Sequence, residues 1–313
     1  MTLFEIDKDA PFYIAGHRGM VGSAMWRLLE SKGHTNLIGK TRQELDLTDR
    51  KAVFDFFEQY KPRYVVLAAA KVGGILANDT YPVQFLSENL QIQTNVMDAA
   101  LEHDVERLVF LGSSCAYPKD APQPIKEEYL LTGPLEPTNE AYAIAKIAGI
   151  KQVQAVRKQY GKSWISVMPT NLYGPGDSYD PEKSHVIPGV VMKLLEAKAA
   201  AQSKVFFWGS GRPQREFLHV DDLASAIELL MANYNGNEAI NIGSGQELSV
   251  RDLVELGKKL SGFGGNLIFD KTRPDGVLRK RLDISNLTDL GWESQLGLEK
   301  GLAEVIRERS NQI

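Results

Sequence analysis

Apolar and polar positions fall into two alternating patterns along the first half of the chain. Short, nearly continuous apolar runs at residues 11–15, 36–40, 63–70, 107–112 and 164–168 read as strands buried on both faces. Between them lie segments with helical period. One follows Gly22 and carries Met25, Leu28 and Leu29; the others span residues 53–60, 83–103 and 140–160. Pro62 stops the second, while Asn78, Asp79 and Thr80 are candidate N-caps for the third, with Pro82 early in it. Strand–helix units in succession predict an α/β fold with a right-handed, doubly wound, mostly parallel sheet. The alternation fades near Gly174. Beyond it come a helix around residues 190–199, an aromatic run at 206–209 and a helix at 223–233 with Asp221 or Asp222 as its cap.

Composition narrows the class. Hydrophobic residues make up 43% and charged residues 24%, ordinary for a soluble globular protein. A net charge of −4 argues against a nucleic-acid partner. No apolar run reaches transmembrane length, and Glu5, Asp7 and Asp9 stand where a signal peptide would be basic, so no membrane association is expected. The single cysteine, Cys115, leaves no internal disulfide and no cysteine-rich metal site, which points to a reducing, cytoplasmic setting without a metal.

The candidate chemistry sits at the ends of the strands. Gly16-His17-Arg18-Gly19-Met20-Val21-Gly22 joins the first strand to the first helix, where glycines permit a tight turn and close approach of a pyrophosphate. This makes residues 1–173 a dinucleotide-binding unit of Rossmann type. Residues 174–313 then form a smaller, mainly substrate-binding unit, with about 217–243 packing back on the first. After the second strand, where a site for NAD carries an acid, stand Lys40 and Arg42, with Arg18 in the glycine turn; cations there suit the 2′-phosphate of NADP(H). Ser113 and Ser114 follow the fourth strand, at the ligand end of such a sheet. Tyr142 and Lys146 lie four apart on a helix, so phenol and ammonium can enter one cleft and the cation lowers the phenol pKa. The proline-rich stretch 118–139 leads into that helix and borders the same cleft. Ala141, Ala145, Ala148 and Gly149 give the helix small residues on several faces, suited to a partner subunit or to internal packing. Lys193, Arg215 and Arg279 are cations able to meet a diphosphate, and Trp208 can stack on a base.

The segments AGHRGMVGS (15–23), LGSSCAYP (111–118), EPTNEAYAIAKIAGI (136–150), MPTNLYGP (168–175), SHVIP (184–188) and REFLHVDD (215–222) resemble one family, and RPDG (273–276) follows them in the chain. It is the extended short-chain dehydrogenase/reductases that act on nucleotide sugars, and within it the GDP-4-keto-6-deoxy-D-mannose epimerase/reductases. The likeness covers nearly the whole chain. It implies NADPH-dependent 4-keto reduction at Ser113, Tyr142 and Lys146, with 3,5-epimerisation by Cys115 and His185. It implies NADP(H) contacts from Gly16 through Gly22 (Gly16, His17, Arg18, Gly19, Met20, Val21, Gly22), from Arg42, and from Leu111, Gly112, Ser113 and Ser114. Lys146, Pro169, Thr170, Asn171, Leu172 and His185 complete that set. Lys193, Trp208, Arg215 and Asp275 are implied to line the pocket of a GDP-sugar, in a homodimer. Another nucleotide-sugar 4-epimerase or 4-reductase is the alternative. A 4,6-dehydratase would carry an acidic pair in place of Cys115-Ala116, and a redox-sensing binding protein would lack the Tyr/Lys pair.

Overall fold

The computed structural model describes residues 3–180, 184–272, 275 and 277–312. Its first half runs β1 (Phe12–Ala15), α1 (Met20–Ser31), β2 (Leu37–Ile38), α2 (Arg50–Tyr60), β3 (Tyr64–Leu67), α3 (Ile75–Thr80), α4 (Pro82–Glu102), β4 (Arg107–Leu111), α5 (Glu140–Tyr160) and β5 (Ile165–Pro169). There follow β6 (Asn171–Tyr173), α6 (Val186–Ala199), β7 (Lys204–Trp208), β8 (Gln214–His219), α7 (Val220–Asn233) and β9 (Ile240–Ile242). The last part holds β10 (Glu247–Ser249), α8 (Val250–Ser261), β11 (Asn266–Asp270), β12 (Arg279–Lys280), α9 (Ser285–Asp289) and α10 (Leu298–Ser310).

Six strands form an all-parallel sheet in the order β2-β1-β3-β4-β5-β9, with registers such as Phe12↔Tyr64 and Val66↔Val109. Successive strand residues face opposite sides of a sheet. Phe12, Ile14, Val66, Val109 and Val167 pack under α1 and α7, whereas Tyr13, Val65, Leu67, Phe110 and Met168 pack under α2, α4 and α5. Both faces are thereby dry, which explains why the strands read as unbroken apolar runs. Arg107, wholly buried, donates to the carbonyls of Ser163, Leu230 (3.0 Å) and Tyr234 (2.8 Å) and tethers α7 to β4.

The rest of the chain carries smaller sheets. β8 pairs with β10, β12 and β6, and β7 pairs with β11. Two apolar clusters bind them to α6, α8 and α10, centred on Val191, Leu253 and Leu302 and on Leu194, Val254 and Phe263. Among the described residues no helix is long and apolar enough to cross a membrane.

The helix starts differ from expectation in two places. Asn78, Asp79 and Thr80 are not caps but the last turn of α3, where Asn78 donates to the carbonyls of Gly73 (2.8 Å) and Gly74 (3.0 Å). α4 begins after Tyr81 with Pro82 first and no side-chain cap. Nor does Asp221 or Asp222 cap α7. His219 Nδ1 accepts the Asp221 N–H (3.2 Å), and the Asp222 carboxylate instead accepts from Ser294, Gln295 and Leu296. A nearby histidine took one role, and tertiary partners that no local pattern reveals took the other. Arg273, Pro274 and Gly276 lie outside the described residues.

Candidate active site

The glycine turn is shaped by close backbone contacts. Gly16 has φ +84°, and a Cβ on it would lie 2.9 Å from the backbone of Ala69. A Cβ on Gly22 would lie 2.1 Å from the Gly16 carbonyl oxygen, which already accepts the Gly19 N–H at 2.9 Å. α1 starts here with no side-chain cap and no acid in its first turn. Its leading N–H groups, at Met20, Val21 and Gly22, are therefore left to an anion, and the helix dipole adds partial positive charge. The cradle fits a dinucleotide pyrophosphate.

The rim beside the turn carries cations. The His17 ring fills the space above Gly39, where a Cβ would come within 2.4 Å of it, and desolvation lowers its pKa. Arg42 is exposed and only loosely placed, 3.7 Å from both Asp46 and Glu88. Lys40 points instead over the Tyr60 ring at 4.8 Å. The first acid after β2, Glu44, is folded back, accepting from the Thr41 N–H and hydroxyl at 2.7 Å each. Arg18, whose charge acts on His17, and Arg42 are the cations left at this rim.

β4 ends at Leu111, and the chain turns through Gly112 into a short 3-10 turn at Ser114–Ala116. A Cβ on Gly112 would meet the Met168 sulfur at 2.6 Å, so the chain crosses tightly against β5. In the turn Ser114 and Ala116 are buried while Ser113 and Cys115 stay partly exposed, and the Ser113 Oγ accepts the Cys115 N–H at 3.2 Å. α5 packs against this turn and brings Tyr142 and Lys146 to it. Lys146 is buried; its Nζ donates to the Leu111 carbonyl at 2.7 Å and lies 5.7 Å from the centre of the Tyr142 ring. Burial pushes its pKa down to about 7.

The Tyr142 phenol corrects one expectation. Its pKa is raised, not lowered: burial is the main cause, charge on Cys115 adds to it, and the neighbouring Ser113 hydroxyl opposes it. Lys146 does not depress it, because the ammonium is turned to a carbonyl and is itself disfavoured by desolvation. Without a bound partner Tyr142 is a protonated phenol, the state a proton donor needs.

The remaining residues come from elsewhere in the fold. Pro169 closes β5; Thr170 is buried, donating its N–H to the Ile242 carbonyl at 3.0 Å, and Asn171 donates to the Glu216 carbonyl at 2.9 Å. Leu172 sits between them and Tyr173 in β6. His185 is the exposed N-cap residue of α6; nearby protein atoms desolvate its ring and lower its pKa, and no hydrogen bond joins it to Cys115. Lys193 donates to the Phe206 carbonyl (3.1 Å) and lies 5.9 Å from the ring of Trp208, which is 67% exposed. Arg215 donates to the Gln214 carbonyl (2.8 Å), and burial lowers its pKa. Asp275 accepts from the Ser210 N–H (2.7 Å) and hydroxyl (2.6 Å), fixing the turn after Trp208. Arg279 is not available to a diphosphate: it grips Glu247 through Nε at 3.0 and 2.9 Å and through a second guanidinium nitrogen.

Residues 12–243 match the NAD dependent epimerase/dehydratase family. The chain belongs to that family. Within it, GDP-L-fucose synthase 1 of Arabidopsis thaliana is 58% identical over 299 residues, spanning 96% of this chain and 93% of its own. GDP-L-fucose synthase of Escherichia coli (strain K12) is 51% identical over 302 residues, spanning 94% of each chain. Among solved structures, a GDP-L-fucose synthetase from Naegleria fowleri bound to NADP superposes with a TM-score of 0.89 at 27% identity, covering 97% of this chain and 95% of its own.

For this epimerase/dehydratase chain, two features of the site escaped sequence reasoning. One is Lys280, whose Nζ lies 3.7 Å from the Cys115 sulfur. The other is Glu216, a wholly buried carboxyl whose pKa burial raises and which accepts from the backbone of Gly245 and Leu282. Lys280 belongs to no local motif, and the REFLHVDD segment that contains Glu216 does not show where its carboxyl points. Beside Gln214 and Arg215 in β8, nothing in the sequence marks Glu216 as the buried charge of the strand.

Proposed function

We propose that the protein converts GDP-4-keto-6-deoxy-D-mannose to GDP-L-fucose by 3,5-epimerisation followed by NADPH-dependent reduction at carbon 4. Identity of 58% and 51% to GDP-L-fucose synthases, sustained over more than nine-tenths of the chain, carries this reading. The clustering of Ser113, Cys115, Tyr142 and Lys146 at one strand end supplies the chemistry. Residues 1–173 hold the cofactor and residues 174–313 mainly hold the sugar nucleotide, in a cytoplasmic homodimer.

The 4-keto group acidifies the C–H bonds at carbons 3 and 5, so a base can remove each proton and an acid can return one on the opposite face. Cys115 and His185 are that pair. NADPH, when bound, supplies the hydride for carbon 4. Tyr142 then gives its phenolic proton to the sugar oxygen, with Ser113 orienting that oxygen and Lys146 holding the cofactor ribose. Gly16 through Gly22 take the pyrophosphate, Arg42 with Arg18 takes the 2′-phosphate, and residues 111–114, 169–172 and His185 line the nicotinamide end. Lys193 and Arg215 meet the diphosphate, Trp208 stacks on guanine, and Asp275 holds the turn beside it. Chromatography of the product formed with NADPH tests the reading. GDP-L-fucose is expected; a reduced sugar of the unepimerised series contradicts it.

Arg42→Ala is expected to remove most of the preference for NADPH over NADH, a discrimination of roughly tenfold or more for a charge-assisted phosphate contact. Titration of both cofactors against wild type and variant measures it, and unchanged discrimination removes Arg42 from the site. The dimer rests on α5. Gly149 is spent inside the subunit, where a Cβ would meet Phe110 at 2.3 Å, but Ala141 and Ala148 are partly exposed and Ile144 is 44% exposed. Sedimentation at micromolar concentration is expected to give twice the chain mass; a monomer contradicts it.

A further inference from the structure

β12 has only two residues, yet several buried polar groups fix the segment that follows it. Glu216 accepts the Leu282 N–H at 3.0 Å and the Gly245 N–H at 2.7 Å. Gln123 accepts the Arg281 N–H at 2.8 Å. Ile125 exchanges backbone bonds with the same segment, its N–H donating to Arg281 and its carbonyl accepting from Asp283, at 2.8 Å each. Asn241, wholly buried, donates to the carbonyls of Ile125 and Asp283 at 2.9 Å each and accepts the Tyr117 hydroxyl at 2.7 Å. Tyr117 follows Cys115 by two residues, so residues 281–283 are clamped to the stretch that carries the cysteine. Buried polar groups lose free energy when a partner shifts, which makes the register of this crossing unforgiving.

The clamp places Lys280. Its Nζ donates to Cys115 Sγ at 3.7 Å, while Arg279, on the other side of the strand, is held by Glu247. We infer that Lys280 is the positioning residue of the epimerisation: its ammonium holds negative charge on the Cys115 sulfur and keeps the thiolate at hand as a proton acceptor. The inference rests on the reading of Cys115 as an acid/base group. When Cys115 acts as base, the C–H electron pair passes into the substrate enolate and the proton goes to sulfur, which loses its charge. The reverse step restores it, and Lys280 keeps its protons throughout. The other polar groups of this region do not duplicate this. Tyr142, from α5, is a neutral phenol whose proton is held more tightly by charge on Cys115. Lys146, on the same helix, is turned to the Leu111 carbonyl. Ser113, in the same turn, accepts the Cys115 N–H. On β8, Glu216 is bound to backbone N–H groups.

Cys115 is the only cysteine, so alkylation by iodoacetamide reports on it alone. The test follows the alkylation rate against pH for wild type, Lys280→Met and Lys280→Arg, beside deuterium uptake into the sugar nucleotide. In Lys280→Met the pH of half-maximal alkylation should rise by about one unit. Deuterium uptake at neutral pH should fall about tenfold, and Lys280→Arg should restore both. An unchanged alkylation profile in Lys280→Met overturns the inference even if uptake falls, because a merely structural role would leave the sulfur's titration where it was. Alkylation needs no substrate. If wild type takes up no deuterium the proposed function fails, while the alkylation profiles still decide whether Lys280 acts on Cys115.

Discussion

Replacing Tyr142 with Phe should lower the rate of hydride transfer by about 10²-fold or more while NADPH still binds. The substitution removes one oxygen and little shape: the ring keeps its edge contact with Phe85, 6.2 Å between centroids at 80°. On the proposed role of Tyr142, what is lost is the proton that meets the alkoxide forming at carbon 4. Of the described neighbours, Lys146 is committed to the Leu111 carbonyl, and the Ser113 hydroxyl is a far weaker acid than the Tyr142 phenol. Burial and charge on Cys115 hold the phenol pKa above its ordinary value, so wild-type Tyr142 stays protonated throughout the neutral range. Loss of NADPH absorbance at saturating ketone, with cofactor affinity measured separately, gives the result. A near-wild-type rate means that the donor is another group.

Cys115→Ser and His185→Asn should separate the two chemistries. Each removes a group able to exchange a proton near neutral pH and leaves the Tyr142–Lys146 arrangement on α5 in place. Serine keeps the size of the side chain but is a far weaker acid than a thiol, so it cannot serve as the base, and inversion should slow by about 10²-fold or more. The 4-ketone should then be reduced without inversion, giving a GDP-6-deoxyhexose of the unepimerised series. Chromatography of the nucleotide sugars made by each variant with NADPH distinguishes the outcomes. GDP-L-fucose formed at the wild-type rate by both variants assigns inversion to other residues.

Much of this was legible in the chain because the informative residues are local. An apolar run, a glycine turn and a helical period each occupy fewer than two dozen residues, and the parallel sheet follows from their order. The cradle at Gly16 through Gly22 and the Tyr142–Lys146 spacing are of that kind. What stayed hidden depends on distant parts of the chain. Asp222 gave up the helix cap to bind residues 294–296, and Arg279 gave up the ligand to bind Glu247. The direction of the Tyr142 shift was missed for a related reason. Spacing says that a lysine is near, but only burial and the Leu111 carbonyl say where its charge points. Lys280 reaches Cys115 across 165 residues of sequence through a clamp built from Glu216, Asn241 and Gln123. No periodicity carries such information.

The central claim is that one site both inverts carbons 3 and 5 and reduces carbon 4. Incubating the wild-type protein with GDP-4-keto-6-deoxy-D-mannose in heavy water, without NADPH, isolates the first half. Mass spectrometry of the recovered sugar nucleotide should then find one deuteron at carbon 3 and one at carbon 5. Uptake at neither carbon, with the ketone still reduced once NADPH is added, would make the protein a plain 4-reductase and contradict the account.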